Sequence, residues 1–180
     1  MTTPKIFGLA GWSGSGKTTL ALRVIQAVIG RGLTVSTIKH THHGVDLDKP
    51  GKDTYRQRRA GAAEVMLASG ARWALMRELE GETEWSVNEL AARMSPVDLI
   101  LIEGFKSNSH PKLEVHRPSL GAPLLADRDD AVVAVASDED LPGLAVPVLG
   151  LNDVGAVTDF ILAHVGLADK SKGSENRGAA

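Results

Sequence analysis

The sequence contains no cysteine, which excludes a disulfide framework, an iron–sulfur cluster and a zinc site built on thiolates. It also lacks an excess of charge of one sign, because 20 Lys and Arg stand against 22 Asp and Glu, a formal charge of -2. Such a chain gives no general electrostatic reason to bind nucleic acid or an anionic membrane surface. Any phosphate group must therefore be bound at a local site.

Long apolar runs are scarce as well. Residues 97–102 and 131–136 have the length of strands and fall short of the roughly 18 to 20 residues that span a bilayer. The opening MTTPKIFGLAG lacks the basic region and the long apolar core of a secretion signal. We therefore expect a cytoplasmic protein with one compact domain over residues 1–165 and a polar, disordered tail over residues 166–180.

The order of apolar runs predicts an α/β fold with a mainly parallel sheet flanked by helices. A short apolar run at Lys5–Ala10 precedes a glycine-rich loop, a segment of helical spacing that ends at Gly30, and a β-branched run at Leu33–Ile38. Such a βαβ unit favours parallel strands. Further strands are predicted at residues 97–104, 112–116, 131–136 and 146–149.

Four further signals add to this pattern. A Ser86/Glu89 capping box opens a short helix, and a final helix is predicted over residues 153–165. Asp53 or Thr54 is predicted to cap another helix over the segment YRQRRAGA. Two short strands that meet at Ser69 and Gly70 predict a β-hairpin inserted into the α/β pattern.

The segment GWSGSGKT fits the pattern G-x-x-x-x-G-K-[ST] of a phosphate-binding loop, between the strand and the helix that this pattern requires. Glycines let successive backbone N–H groups point inward around a phosphate at the positive end of a helix. Lys17 adds charge at the β- and γ-phosphates, and the Thr18 hydroxyl is placed to bind Mg²⁺. The predicted nucleotide-phosphate site comprises Gly11, Ser13, Gly14, Ser15, Gly16, Lys17, Thr18 and Thr19.

A second group for magnesium is expected at the end of an apolar strand adjacent to the first strand. Glu103, which ends LILIE, fits that position. Asp98 begins the same strand and would lie about 16 Å away, too far for this role. Lys106 follows within reach of Glu103 or of a phosphate.

A polar loop with three histidines and two aspartates follows the second strand, at the sheet edge where ligands collect in α/β proteins. In one interpretation the loop contacts a phosphate, and Asp46 or Asp48 helps to hold Mg²⁺. In another, His40 and His42 form a transition-metal pair that one of these carboxylates completes. A solvated loop is the third interpretation.

The segments GWSGSGKTTL, IKHTHHGVDLDKPGKDTYRQRRAGA, LILIEGFK, PKLEV and VASD, in this order, resemble the MobB family of molybdopterin-guanine dinucleotide biosynthesis adaptor proteins. The resemblance covers about Lys5 to Val165 and implies a P-loop NTPase fold that binds GTP with Mg²⁺ and hydrolyses it weakly. It also implies a homodimer with a shared sheet, a guanylyltransferase that joins GMP to molybdopterin as partner, and contacts with other molybdenum cofactor assembly proteins. The resemblance places the nucleotide site on Gly14, Ser15, Gly16, Lys17, Thr18 and Glu103.

The residue that recognises guanine stays open, because the tetrapeptide [NT]-K-x-D of common GTPases is absent. Asp138 and Asp153 both follow predicted strands, and either can accept hydrogen bonds from guanine N1 and N2; a turn residue and a helix cap are their structural alternatives. No catalytic base or arginine finger is evident, so we expect binding to dominate over hydrolysis. A metallochaperone GTPase and a small-molecule kinase remain alternative functions.

Overall fold

The computed structural model describes residues 5–41, 47–79, 81 and 83–167. They form two compact units, one from the described residues of Met1–His40 and Ser86–Ala180, the other from those of Thr41–Trp85. The predicted single domain over residues 1–165 stays a prediction, and residues 168–180 of the predicted tail lie outside the described residues. No helix within the described ranges has the length and apolar character needed to cross a membrane.

The described residues form eight strands and four α-helices. In chain order they are β1 (Lys5–Ala10), α1 (Lys17–Gly30), β2 (Val35–Lys39), α2 (Asp53–Arg59), β3 (Glu64–Ala68), β4 (Trp73–Arg77), α3 (Val87–Ala91), β5 (Leu99–Glu103), β6 (Lys112–His116), β7 (Val132–Ser137), β8 (Val148–Gly150) and α4 (Val154–His164).

The first unit contains a six-stranded sheet in the order β2-β5-β1-β6-β7-β8, and every adjacent pair is parallel. This confirms the predicted mainly parallel sheet. Alternate residues of β5 supply two faces: Leu99 and Leu101 pack into the core cluster that includes α1 and α4, and Ile100 and Ile102 pack with α3 and Phe105. A strand buried on both faces explains why the sequence of β5 is apolar throughout.

Parallel pairing brings the carboxyl ends of the strands to one edge of this sheet. The register pairs Glu103 of β5 with Leu9 of β1 on one side and with Lys39 of β2 on the other. On the far side of β1, β6 pairs with β7 up to His116 and Ser137. The loops that follow these strands therefore carry the polar residues of the first unit's candidate site.

The second unit contains α2 and the antiparallel hairpin β3–β4, which confirms the inserted hairpin. The Ser69 hydroxyl accepts hydrogen bonds from the backbone N–H groups of Ala71 (3.3 Å) and Arg72 (3.2 Å) and so fixes the turn. The prediction of a side-chain cap for α2 was wrong. Lys52 occupies the cap position without a capping side chain, and the hydroxyl of Thr54 donates to Asp48 instead.

Candidate phosphate and metal site

The predicted phosphate loop connects β1 to α1, and glycine permits its path. Gly11 has a φ of 138°, and a Cβ there would lie 2.4 Å from the carbonyl oxygen of Val115. Gly16, with a φ of 99°, is the N-cap of α1 and supplies no capping side chain. The first N–H groups of α1 therefore remain available to an anion at the positive end of the helix.

The loop contains one buried hydroxyl and borders a cavity. Within the described part of the chain, the buried hydroxyl oxygen of Ser15 has no hydrogen-bond partner. A cavity of about 340 Å³ is lined by predicted residues of the phosphate and magnesium sites, namely Ser13, Gly14, Gly16, Lys17, Thr18, Thr19 and Glu103. Thr19 is exposed on the first turn of α1. The structure thus places most of the predicted phosphate-binding residues around one opening.

The ammonium group of Lys17 points back into the loop, where it donates to the carbonyl oxygen of Trp12 at 2.7 Å. Burial lowers the pKa of Lys17; Glu103 opposes this shift, and the nearby ammonium groups of Lys106 and Lys39 reinforce it. Among the described residues, the ammonium groups of Lys17, Lys39 and Lys106 therefore lie near the carboxylate of Glu103. Such a field favours a ligand with several negative charges.

Thr18 and Glu103, the two predicted magnesium ligands, are in direct contact. The Thr18 hydroxyl donates to Oε1 of Glu103 at 2.6 Å. A hydroxyl and a carboxylate are oxygen ligands of the kind that Mg²⁺ takes alongside its own waters, so this pair fits that metal. Asp98 lies at the amino end of β5, where its carboxylate accepts from the backbone N–H and the hydroxyl of Thr34 at 2.8 Å, as its predicted distance from the site requires.

Trp12 holds the phosphate loop to two neighbouring segments. Its indole Nε1 donates to the carbonyl oxygen of Pro123 at 2.7 Å, and the ammonium of Lys106 lies 4.4 Å from the centre of its ring. The segment around Pro123 is itself fixed by the fully buried carboxylate of Glu114 on β6, which accepts from the N–H groups of Leu125 and Ala126 at 2.9–3.0 Å. The predicted contact residue Lys106 thus lies beside the loop.

Arg117, which sequence reasoning missed, connects the phosphate loop to a predicted base-recognition residue. Its Nε donates to the carbonyl oxygen of Ser15 at 3.1 Å, and its Nη1 forms an ion pair with Asp138. Arg117 directly follows β6, so the sequence signal that could have identified it is its position at the end of a predicted strand. That signal becomes informative only once β6 is known to lie beside β1.

The two predicted base-recognition residues occupy different surroundings. Asp138 follows β7 and borders a cavity of about 930 Å³, together with Glu139, Asp140 and residues of β8. Asp153 caps α4, since its carboxylate accepts from the N–H of Ala156 at 2.9 Å. The helix-cap alternative is therefore confirmed for Asp153.

In the polar loop with three histidines that follows β2, His42, His43 and Asp46 lie outside the described residues. The backbone N–H of His40 donates to the carbonyl oxygen of Glu103 at 2.8 Å, and its ring lies 4.2 Å from that of Phe105. Asp48 belongs to the second unit, where it accepts from Thr54 and Arg58. Across residues 5–41, 47–79, 81 and 83–167, no group of three or more His, Asp or Glu side chains is arranged to hold a metal ion.

Comparisons with known proteins agree with this fold. Residues 6–138 match the family MobB, described as molybdopterin guanine dinucleotide synthesis protein B. The chain is 47% identical over 162 residues to the molybdopterin-guanine dinucleotide biosynthesis adapter protein of Escherichia coli, covering 87% of this chain and 91% of that protein. The protein of the same name from Haemophilus influenzae is 40% identical over 158 residues, covering 87% of this chain and 86% of that protein. A crystal structure of molybdopterin-guanine biosynthesis protein B superposes with a TM-score of 0.68 at 25% identity, covering 88% of this chain and 99% of that one.

Proposed function

The chain belongs to the MobB family, and from this premise we propose that it is an adapter protein of molybdopterin-guanine dinucleotide biosynthesis that binds GTP with Mg²⁺. The names of the two bacterial relatives support the adapter role. The P-loop NTPase-like fold, shared with the MobB crystal structures, supports nucleotide binding. The observation that carries the proposal is the contact between Thr18 and Glu103 at the mouth of a glycine-rich loop.

In this proposal each residue has one task. The N–H groups of the loop and of the start of α1 surround the β-phosphate, and Lys17 exchanges its bond to Trp12 for a bond to the terminal phosphates. Thr18 and Glu103 would hold the magnesium ion, which neutralises phosphate charge when bound. These tasks are binding tasks, so we propose weak hydrolysis and a role centred on presenting the nucleotide.

We propose Asp138, ahead of Asp153, as the residue that accepts hydrogen bonds from guanine. Asp138 lies at the carboxyl end of β7 beside an open cavity, and Arg117 fixes its carboxylate next to the phosphate loop. Asp153 already caps a helix. The homodimer and the partnership with the guanylyltransferase and other cofactor assembly proteins are part of the same proposal, supported by family membership.

Calorimetric titration with GTP and ATP, with and without Mg²⁺, tests the proposal. We expect binding that magnesium strengthens and that favours GTP. Lys17→Ala should lower the affinity roughly a hundredfold, because a cation that contacts phosphate is lost while little core is disturbed. Lys5→Ala removes an equal charge at the amino end of β1 and serves as the control. Unchanged affinity in a folded Lys17→Ala protein would contradict the site, and a preference for ATP would favour the kinase alternative.

Glu103→Gln tests the magnesium ligands. The amide removes the negative charge but keeps the size of the side chain, so we expect affinity for GTP to fall about tenfold with Mg²⁺ and to change little without it. The same calorimetric series measures both values. An equal loss under the two conditions would show that Glu103 acts as a structural residue.

A further inference from the structure

The backbone places Lys39 beside the predicted magnesium ligands. Lys39 ends β2 and pairs in register with Glu103, the last residue of β5. Partners in register on parallel strands direct their side chains to the same face of the sheet. One residue further, the N–H of His40 still donates to the carbonyl oxygen of Glu103, so the pairing extends beyond both strands. The position of Lys39 is therefore set by the sheet itself.

The ammonium of Lys39 contacts both oxygen atoms of the candidate metal site. Its Nζ lies 3.2 Å from Oε1 of Glu103 and 3.4 Å from Oγ1 of Thr18, and these two oxygens are 2.6 Å apart. An ammonium group carries one positive charge and three donors and accepts nothing. It can therefore neutralise Glu103 as a metal ion would, but it cannot share the same oxygens with a divalent cation without repulsion.

The side chain of Lys39 is free to leave this position. It is 61% exposed, whereas that of Glu103 is 16% exposed. The four-carbon stem of lysine is flexible, so the ammonium can reach other positions around its Cα. The opening lined by Lys17, Thr18 and Thr19 is adjacent, because Thr18 contacts Lys39 directly.

We propose that Lys39 is the resident cation of the metal subsite. Its ammonium neutralises Glu103 in the metal-free protein and moves to the terminal phosphate of the nucleotide when Mg²⁺ binds to Thr18 and Glu103. Lys39 thereby sets how strongly nucleotide binding depends on magnesium. This inference rests on the proposed function, because it requires that the site bind a nucleoside triphosphate.

The test compares the affinity for GTP with and without saturating Mg²⁺ in the full-length protein and in Lys39→Met, Lys39→Arg and Lys5→Met. Without magnesium, Lys39→Met should bind GTP about tenfold more weakly, because the ammonium that neutralises Glu103 in place of Mg²⁺ is gone. With magnesium the loss should be about threefold or less, because the lost contact between the ammonium and the terminal phosphate is partly offset by the end of the ammonium's competition with the metal. The ratio of the two affinities should therefore rise at least about threefold over that of the unchanged protein.

Two variants control for charge and for geometry. Lys5→Met removes the same charge at the opposite end of the sheet and should leave the ratio unchanged. Lys39→Arg retains a cation and should restore most of the affinity measured without magnesium. An unchanged ratio in Lys39→Met would overturn the inference and leave the proposed function intact. If the unchanged protein bound neither GTP nor ATP, the proposed function would fail, and the inference with it.

Discussion

The two compact units are stabilised by different means. In the first unit, one cluster of buried apolar residues joins β1, α1, β5, β6, β7 and α4, and a second joins β5 to α3. In the second unit α2 buries no residue, and of the hairpin's large apolar side chains Val65 is buried while Met66, Leu67, Trp73 and Leu75 are 48–66% exposed. The second unit instead contains ion pairs between charged side chains. Arg58 binds Asp48 and Glu78, and Arg77 binds Glu64.

This difference in burial explains why the first unit is the better place for a binding site. A site needs side chains held to within a fraction of an ångström, and buried parallel strands supply that rigidity through their register. The candidate phosphate and metal site lies at the ends of such strands. The second unit instead exposes apolar and charged side chains on a small hairpin.

The largest expected effect tests the comparison directly with one substitution in each unit. Leu101→Ala, in a strand residue that is 1% exposed, should lower the free energy of unfolding by about 2–5 kcal/mol. Leu67→Ala, at a side chain that is 57% exposed, should lower it by about 0.5 kcal/mol or less. Urea denaturation measures both. Equal losses would show that the hairpin depends on apolar burial as the sheet does.

A smaller effect is expected from the ion pairs of the second unit. Arg58→Ala leaves the carboxylate of Asp48, which is 6% exposed, without its cation, so we expect a local destabilisation of about 2–3 kcal/mol. Hydrogen exchange should accelerate over residues 47–79 while β1 and β5 keep their protection. Arg56→Ala removes an exposed charge from the same helix and provides the control. Unchanged hydrogen exchange in Arg58→Ala would show that these ion pairs do not stabilise the second unit.

A pH-dependent effect is expected from a polar group of the first unit. Burial, reinforced by Lys112, lowers the pKa of His110 to about 4, and neither ring nitrogen has a hydrogen-bond partner among the described residues. The unfolded chain therefore binds more protons than the folded one between about pH 6.5 and 4, and stability falls as the pH falls through that window. His110→Asn should show a shallower loss in thermal unfolding at pH 7, 6, 5 and 4.5. Parallel curves for the two proteins would contradict this assignment.

The local features predicted from sequence depend on residues a few positions apart, whereas the pairing of Thr18 with Glu103 was predicted from the general arrangement of phosphate-loop sites. The capping box is confirmed, because the Ser86 hydroxyl accepts from the N–H of Glu89 and the Glu89 carboxylate accepts from that of Ser86. The hairpin turn and the order of strand, glycine-rich loop and helix are confirmed as well. Each is encoded in one short stretch of chain, so a single sequence suffices to recognise it.

The features that sequence reasoning missed depend on the order of the strands. Lys39 meets Glu103 only because β2 lies beside β5, and Arg117 meets Ser15 only because β6 lies beside β1. Lys112 is a further case. A lysine at the start of a strand suggests an exposed side chain, yet it is fully buried and donates to the carbonyl oxygens of Lys106 and Asn108 and to Asp129.

The contacts of Trp12 with Pro123 and Lys106 also allow the phosphate loop to be followed by fluorescence. Of the three tryptophans of the chain, Trp12 lies in the first unit, and Trp73 and Trp85 lie in the second. The emission of an indole depends on its hydrogen bond and on nearby charge, and Trp12 has the carbonyl of Pro123 on its nitrogen and the ammonium of Lys106 over its ring. The difference in fluorescence between the unchanged protein and Trp12→Phe therefore isolates a signal from the loop itself, and ligand arrival can be followed in real time without an attached dye.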